Sequence, residues 1–172
     1  MVILGLAPAA HGANRTGRLF TGDRSGDFLY ASLYRTRFAN RPHSVAIGDG
    51  LELRGALITA TVRCAPPANR PTSEEIATCS RWLRPDLERP EISVVVALGV
   101  VAHSQALRMA PELGWEVPRP RPRFAHGAEV PLGGGPVLLS SYHPSQQNTF
   151  TGKLTAGMLD TVFSRARVIA GI

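Results

Sequence analysis

Two loops of the sequence combine a histidine with amide side chains. One is GLAPAAHGAN at residues 5–14 and the other is HPSQQN at residues 143–148. A histidine can donate a hydrogen bond to an oxygen that gains negative charge, which stabilises that charge by about 3 kcal/mol per well-placed donor. An amide offers a donor and an acceptor together, so it can orient a water molecule or bind a carbonyl group. Both loops are therefore candidates for catalysis or ligand binding.

Each loop follows a short apolar run, Val2-Ile3-Leu4 in the first case and Val137-Leu138-Leu139 in the second. Such runs are typical of strands buried in a sheet, so each loop is predicted to begin at the carboxyl end of a strand. Open α/β sheets bind their ligands at this end. The two loops are therefore expected to form one pocket, which we interpret as a pocket for a nucleic-acid base.

Strand-like and helix-like segments alternate along the chain. Predicted strands cover residues 1–7, 56–62, 92–98, 124–130 and 136–142, and predicted helices cover residues 25–39, 72–88, 99–111 and 151–169. The second helix opens with a capping-box pattern, Thr72 facing Glu75. The Arg-Pro-Arg-Pro-Arg run at 119–123 excludes regular helix and inner strand. The pattern predicts a single α/β domain, a three-layer α/β/α arrangement with a mostly parallel central sheet.

The composition indicates one basic domain. A chain of 172 residues can bury a substantial core. The formal net charge is +6, and Lys153 is the only lysine, so arginine supplies nearly all the positive charge. Arginine makes bidentate phosphate contacts and favours a polyanionic partner, although an arginine-rich genome produces the same bias. We expect no disulfide scaffold, no leader and no membrane contact, and we predict a cytoplasmic monomer.

The two loops, together with GRLFTGD at residues 17–23, closely resemble the uracil-DNA glycosylase superfamily, in particular its broad-specificity type-5 branch. The resemblance runs from about Val2 to the last predicted helix. It implies an enzyme that flips a deaminated base out of DNA and hydrolyses its glycosidic bond, the first step of base-excision repair. Uracil is the expected substrate, with hypoxanthine and other deaminated bases beside it. Relatives carry a segment ahead of the first strand, so this chain is expected to be short at its N-terminus.

The resemblance places three residues in catalysis. It implies that His143 donates to the departing base and that Asn14 positions the attacking water, with Asn148 as a further amide in the second loop. Ala7 stands where most branches carry an acidic or amide residue, so leaving-group stabilisation is expected to dominate. On the residues alone, His143 is better explained as a loop histidine that caps a strand, and Asn148 is explained at least as well as a turn residue.

Four more residues are expected at the base pocket. Phe20 matches the aromatic ring that stacks on the extruded base, although a lone phenylalanine is better explained by core packing. Asp23 is either a stabiliser of the sugar cation or the N-cap of the next helix. His11 reaches the base or phosphate, or is simply solvated. Asn69 matches a polar position that type-5 relatives bring toward the pocket.

DNA contacts are expected from Arg15, Arg121 and Gln147. Arg15 lies on the first loop, and Arg121 belongs to the arginine-proline alternation, which either follows phosphates or is a solvated linker. Other branches carry leucine where Gln147 stands, and this polar side chain argues against strong intercalation. His103 and His126 lie near apolar segments and are predicted to be structural.

Cys64 and Cys79 bracket a segment that resembles half of the family's cysteine set, which binds a four-iron four-sulfur cluster. Such a cluster takes about four thiolates, and the sequence contains two cysteines. The resemblance therefore implies a 4Fe-4S cofactor for which this chain supplies only two ligands. Without the resemblance, two separate buried thiols are the better interpretation.

Two other functions fit the same residues. A nucleoside or nucleotide hydrolase would use the pocket without a duplex, and salt-dependent activity would distinguish the DNA enzyme from it. A damage-binding module would flip bases without cleaving them.

Overall fold

A five-stranded sheet forms the centre of the computed structural model, which describes residues 1–172. Its strands are β1 (Val2–Gly5), β2 (Leu57–Ala60), β3 (Val94–Leu98), β4 (Glu129–Pro131) and β5 (Val137–Ser141). Their order across the sheet is β2-β1-β3-β5-β4. Only β4 runs antiparallel to its neighbour. The predicted mostly parallel sheet is confirmed, and the carboxyl ends of β1, β3 and β5 share one edge.

Helices cover both faces of the sheet. They are α1 (Ala13–Thr16), α2 (Arg24–Arg35), α3 (Ser73–Leu87), α4 (Val100–Met109), α5 (Gln146–Phe150) and α6 (Ala156–Ala170). Successive residues of β1 point to opposite faces. Ile3 belongs to the core that includes Phe163 of α6, and Leu4 belongs to the core that includes Leu83 of α3. The predicted three-layer α/β/α arrangement is confirmed. None of the helices is long and apolar enough to cross a membrane.

The helix predicted at 151–169 is wrong at its start. Gly152 adopts a left-handed conformation with φ of +71°, which separates α5 from α6. The side chain of Thr155 then accepts a hydrogen bond from the Met158 backbone N–H at 3.3 Å and caps α6. This local side-chain bond decides where the helix begins.

The strand predicted at 124–130 is also too long, because only Glu129–Pro131 pairs with β5. The Phe124 ring packs against His103 and Tyr142 instead, with centroid distances of 5.7 and 6.0 Å. Gly127, at φ of +76°, turns the chain before β4 begins. The helix predicted at 25–39 ends earlier as well, at Arg35, shortly before Arg37 adopts φ of +65°.

The N-terminus of α3 confirms the capping box. The Thr72 hydroxyl accepts from the Glu75 backbone N–H at 3.1 Å, and the Glu75 carboxylate accepts from the Thr72 N–H at 2.6 Å. The long loop between β1 and α2 contains the short helix α1, so it is an ordered part of the fold.

Candidate active site

The loops that follow β1 and β5 line one cavity, as their predicted positions require. The cavity has a volume of about 300 Å³. It is bounded by side chains from both loops, from the start of α2 and from the 3-10 turn Pro67–Asn69: Leu6, Ala7, Ala9, Phe20, Asp23, Ser25, Asn69, His143 and Ser145. We refer to it as the His143 cavity. Ala7 and Ala9 leave its wall without an acidic or amide group at those positions.

His143 is half-buried at the end of β5. Desolvation lowers the pKa of His143 below its ordinary value, while the Asp23 carboxylate acts in the opposite sense. The imidazole is therefore neutral at neutral pH and carries one N–H for donation. Gly99, at φ of +100°, leaves room for the His143 side chain, because a Cβ on residue 99 would lie only 3.3 Å from the His143 Cβ. The Asn148 amide donates to the His143 backbone carbonyl at 2.8 Å and holds the loop closed.

Phe20 faces His143 across the cavity, with 6.0 Å between ring centroids and 35° between ring planes. Its backbone has φ of +55°, a left-handed conformation that is unfavourable for phenylalanine. Two glycines accommodate it. A Cβ on Gly5 would lie 2.9 Å from the Phe20 ring, and one on Gly26 would lie 1.8 Å from the Phe20 carbonyl oxygen. Phe20 is 9% exposed and also belongs to a core cluster, so core packing and the cavity wall use the same ring.

Asp23 both caps α2 and lines the His143 cavity, the two positions considered for it from the sequence. Its Oδ1 accepts from the Gly26 N–H at 2.8 Å, which makes Asp23 the N-cap of α2. The same side chain lines the His143 cavity. Its Oδ2 lies close to Gly12, where a Cβ would be only 2.7 Å away. The cap thus holds a carboxylate at the cavity wall.

A polar network that sequence reasoning missed supports the Phe20 segment. Arg18 Nη1 donates to both Asp49 oxygens, at 2.9 and 3.0 Å, and to the Ser44 hydroxyl at 2.9 Å. The Ser44 and Thr21 hydroxyls are 2.6 Å apart. We call this group the Asp49 network. It connects the residues on either side of Phe20 to residues 44–51, a pairing that no local sequence signal indicates.

Asn14 does not line the His143 cavity. It is exposed and borders a neighbouring cavity with Pro8, Ala13 and Arg63. The expected meeting of Asn14 and His143 in one cavity is therefore not found, whereas Asn69 does line the His143 cavity. Asn69 and Ala68 both have positive φ, +55° and +51°. Asparagine tolerates this conformation far better than alanine does.

The remaining predicted residues lie on the surface. His11 and Arg15 are exposed, and the Arg15 guanidinium donates to the His11 backbone carbonyl at 3.2 Å. Gln147 is exposed on α5, and Arg121 is exposed in the irregular segment before β4. None of these four side chains lines the His143 cavity.

Aromatic contacts support the residue that precedes His143. The Tyr142 ring stacks on His126, with 5.0 Å between centroids, and Lys153 Nζ lies 4.9 Å from the Tyr142 centroid. His103 pairs with the Ser140 hydroxyl at 2.8 Å. Desolvation lowers the pKa of both His103 and His126. Both histidines contact the C-terminal half of β5.

Cys64 and Cys79 line one surface cavity of about 320 Å³, together with Thr72, Glu74 and Glu75. Cys64 is exposed and Cys79 is half-buried, so the alternative of two separate buried thiols is wrong. No group of three or more His, Cys, Asp or Glu side chains could hold a metal ion. Residues 1–172 thus bring two thiols to one cavity and do not complete a four-thiolate site.

The fold and the cavity define an α/β protein with a histidine at the carboxyl edge of its sheet, opposite an aromatic ring. The family model described as "Uracil DNA glycosylase superfamily" matches residues 1–167. The chain belongs to the uracil-DNA glycosylase superfamily.

Among the known proteins that resemble this chain, those of higher identity belong to one branch of the superfamily. The type-5 uracil-DNA glycosylase of Mycobacterium tuberculosis is 56% identical over 174 residues, which cover 100% of this chain and 63% of that protein. The type-5 uracil-DNA glycosylase of Thermus thermophilus is 47% identical, with coverages of 100% and 76%. A type-4 uracil-DNA glycosylase of Thermotoga maritima is 31% identical, with coverages of 84% and 64%. The chain spans less than two thirds of the length of the mycobacterial relative. The resemblance to the type-5 branch is confirmed.

Proposed function

We propose that this chain carries the base-binding and catalytic part of a DNA glycosylase that hydrolyses the N-glycosidic bond of uracil in DNA, the first step of base-excision repair. The observation that carries the proposal is the placement of a neutral His143 and the Phe20 ring on one cavity of about 300 Å³. Relatives 46–56% identical are named type-5 uracil-DNA glycosylases. The net charge of +6 suits a DNA partner.

The reaction breaks the bond between the sugar C1′ and the base nitrogen, and the bonding electrons leave with the base. Negative charge then develops on the carbonyl oxygens of the base, while the sugar becomes cationic. The His143 N–H donates to one of these oxygens, and the Phe20 ring stacks on the base. A water molecule supplies hydroxide to C1′ and a proton to the released base. One well-placed donor lowers the activation barrier of this reaction by about 3 kcal/mol.

The carboxylate of Asp23 is the anionic group of the His143 cavity. Its fixed position as the N-cap of α2 allows it to stabilise the sugar cation without moving. Asn69 is the amide that lines the cavity, and we assign it a polar contact with the base. Asn148 acts on the reaction through His143, because its amide N–H is bonded to the His143 carbonyl.

Other deaminated bases, hypoxanthine among them, belong to the same proposal. Ala7 and Ala9 are short side chains on the cavity wall, so neither selects a base by a hydrogen bond. Stacking on Phe20 tolerates different bases, because every base has a π-face.

The test is single-turnover excision from labelled duplexes that contain uracil or hypoxanthine, with the wild type, His143→Ala and His43→Ala. His43 is an exposed histidine that does not line the His143 cavity, so it is the matched control. We expect His143→Ala to lose at least about a hundredfold in rate and His43→Ala to keep the wild-type rate. Binding without any abasic product would support a damage-binding module instead. Activity on free nucleosides that is insensitive to salt would support a nucleoside hydrolase.

We also propose that the protein is a monomer that acts in the cytoplasm, and light scattering tests the monomeric state.

We further propose that Cys64 and Cys79 are two ligands of a four-iron four-sulfur cluster, an assignment supported by the cavity that they share. Iron and acid-labile sulfide are measured on the purified chain and on the polypeptide made with the preceding in-frame coding sequence. Iron bound only by the longer polypeptide, and lost in Cys64→Ser, supports the assignment. Iron absent from both overturns it.

A further inference from the structure

Phe150 is the only exposed member of the six phenylalanines in the chain. Its relative exposure is 69%. It is the last residue of α5, the short helix that continues the loop carrying His143 and Ser145. The packing of the core does not account for a large apolar side chain in this position.

Arg24 places a positive charge on the same side chain. Its guanidinium carbon lies 5.7 Å from the centroid of the Phe150 ring. Arg24 is the first residue of α2 and stands between Asp23 and Ser25, which both line the His143 cavity. Phe150 follows Ser145, another lining residue, by five positions, which is roughly 7.5 Å along a helix axis. The contact between Arg24 and Phe150 therefore lies close to residues that line the His143 cavity.

Base flipping leaves a gap in the stack of the duplex, and proteins that unstack DNA commonly insert an apolar side chain between base steps. Gln147 is polar and poorly suited to fill such a gap. Phe150 lies three residues further along α5, and residues spaced by three share one face of a helix. The same face of α5 thus presents an aromatic ring next to an arginine.

We propose that Phe150 enters the duplex when the target base moves into the His143 cavity, and that Arg24 holds the ring and faces the adjacent phosphate. The partner is a DNA duplex that contains the target base. This inference rests on the proposed glycosylase function. It assigns the unstacking step to a residue outside the two loop motifs.

Single-turnover excision of uracil from a duplex and from the same single strand tests the proposal. We expect Phe150→Ala to slow excision from the duplex by about ten- to a hundredfold, because the cost of unstacking a base step, a few kcal/mol, is then no longer offset by an apolar side chain in the gap. Excision from the single strand needs no wedge and stays within about twofold of the wild type. Phe150→Leu keeps an apolar side chain without a π-face, so it restores most of the duplex rate. A duplex rate for Phe150→Leu as low as that of Phe150→Ala would show that an apolar side chain at this position does not fill the gap, and would overturn the wedge.

Val168→Ala is the matched control, because Val168 is also 69% exposed. It lies near the end of α6, two residues before Ala170, which lines a different cavity beside Met1 and Val2. This variant keeps the wild-type rates on both substrates. Equal duplex rates for Phe150→Ala and the wild type, or a change of oligomeric state in Phe150→Ala, overturn the proposal.

A fluorescence measurement separates this proposal from the glycosylase function. With 2-aminopurine next to the target base, unstacking by the wild type raises the fluorescence, and Phe150→Ala does not raise it. The signal requires no bond cleavage. A wild type that cleaves neither substrate overturns the proposed function, and the fluorescence of the two proteins still decides the role of Phe150.

Discussion

Replacing Asp49 by asparagine tests whether the Asp49 network supports the Phe20 segment. The side chain is 11% exposed. Its Oδ1 accepts from the Leu51 backbone N–H at 2.9 Å, and its Oδ2 accepts from the Val45 N–H at 2.7 Å. An amide in either orientation therefore points an NH₂ group at a backbone N–H. The ion pair with Arg18 is lost at the same time.

The expected loss of stability in Asp49→Asn follows from the number of polar groups that are left without a hydrogen-bond partner. One charge-assisted hydrogen bond contributes about 1.5–3 kcal/mol, and an unpaired buried donor costs about 1–3 kcal/mol. Because the pair is only partly buried and the Val45 N–H is exposed, we expect Asp49→Asn to lower the free energy of unfolding by about 2–4 kcal/mol, less than the cost of breaking a fully buried pair. In a domain of this size the melting temperature should fall by about 10 °C.

Glu129→Gln is the control for a lost carboxylate. Glu129 forms a two-contact pair with Arg165 at 2.7 and 2.9 Å, but the side chains are 36% and 48% exposed. Exposed pairs contribute about 0–1 kcal/mol. Urea unfolding of the three proteins gives the comparison. Equal losses in Asp49→Asn and Glu129→Gln would refute the reasoning that burial and backbone donors set the value of the Asp49 network.

The pH dependence supplies a second assay of the same group. Backbone N–H donors, first that of Val45, and the Arg18 guanidinium hold the pKa of Asp49 well below its ordinary value of 3.8. A carboxylate with a depressed folded pKa contributes stability that is fully present above the unfolded value. This contribution disappears as the pH falls through the folded pKa. The stability difference between wild type and Asp49→Asn should therefore be constant above about pH 4 and shrink below it.

Three further predictions concern the His143 cavity, the start of α3 and the buried His103. Gly5→Ala would place a Cβ 2.9 Å from the Phe20 ring and displace the ring. Uracil excision should therefore slow by about tenfold. An unchanged rate would show that the ring does not stack on the base. Thr72→Ala removes the capping box with Glu75 and should lower the free energy of unfolding by about 1 kcal/mol, measured by urea titration; no loss would mean that the cap adds nothing. Desolvation lowers the pKa of His103, so the unfolded state binds protons first and stability should fall as the pH drops below about 6.5. His103→Asn should flatten the measured slope between pH 7 and 5, and an unaltered slope would contradict this assignment.

The parts of the fold that follow from neighbouring residues could be predicted from the sequence. Buried strands at β3 and β5 follow from their apolar runs, and the start of α3 follows from Thr72 and Glu75, because these signals act over a few residues. Boundaries set by a single turn were missed. Gly152 and Thr155 move the start of the last helix by five residues, from 151 to 156.

The sequence by itself determined the layered α/β fold, the two loops at one sheet edge and the family, because periodicity and motif chemistry are local properties. The tertiary structure alone decided which side chains face the His143 cavity. Asn69 lines it and Asn14 does not, although both lie in segments that resemble the family. Arg18 and Asp49 pair across 31 positions of sequence, and such contacts depend on how distant segments pack.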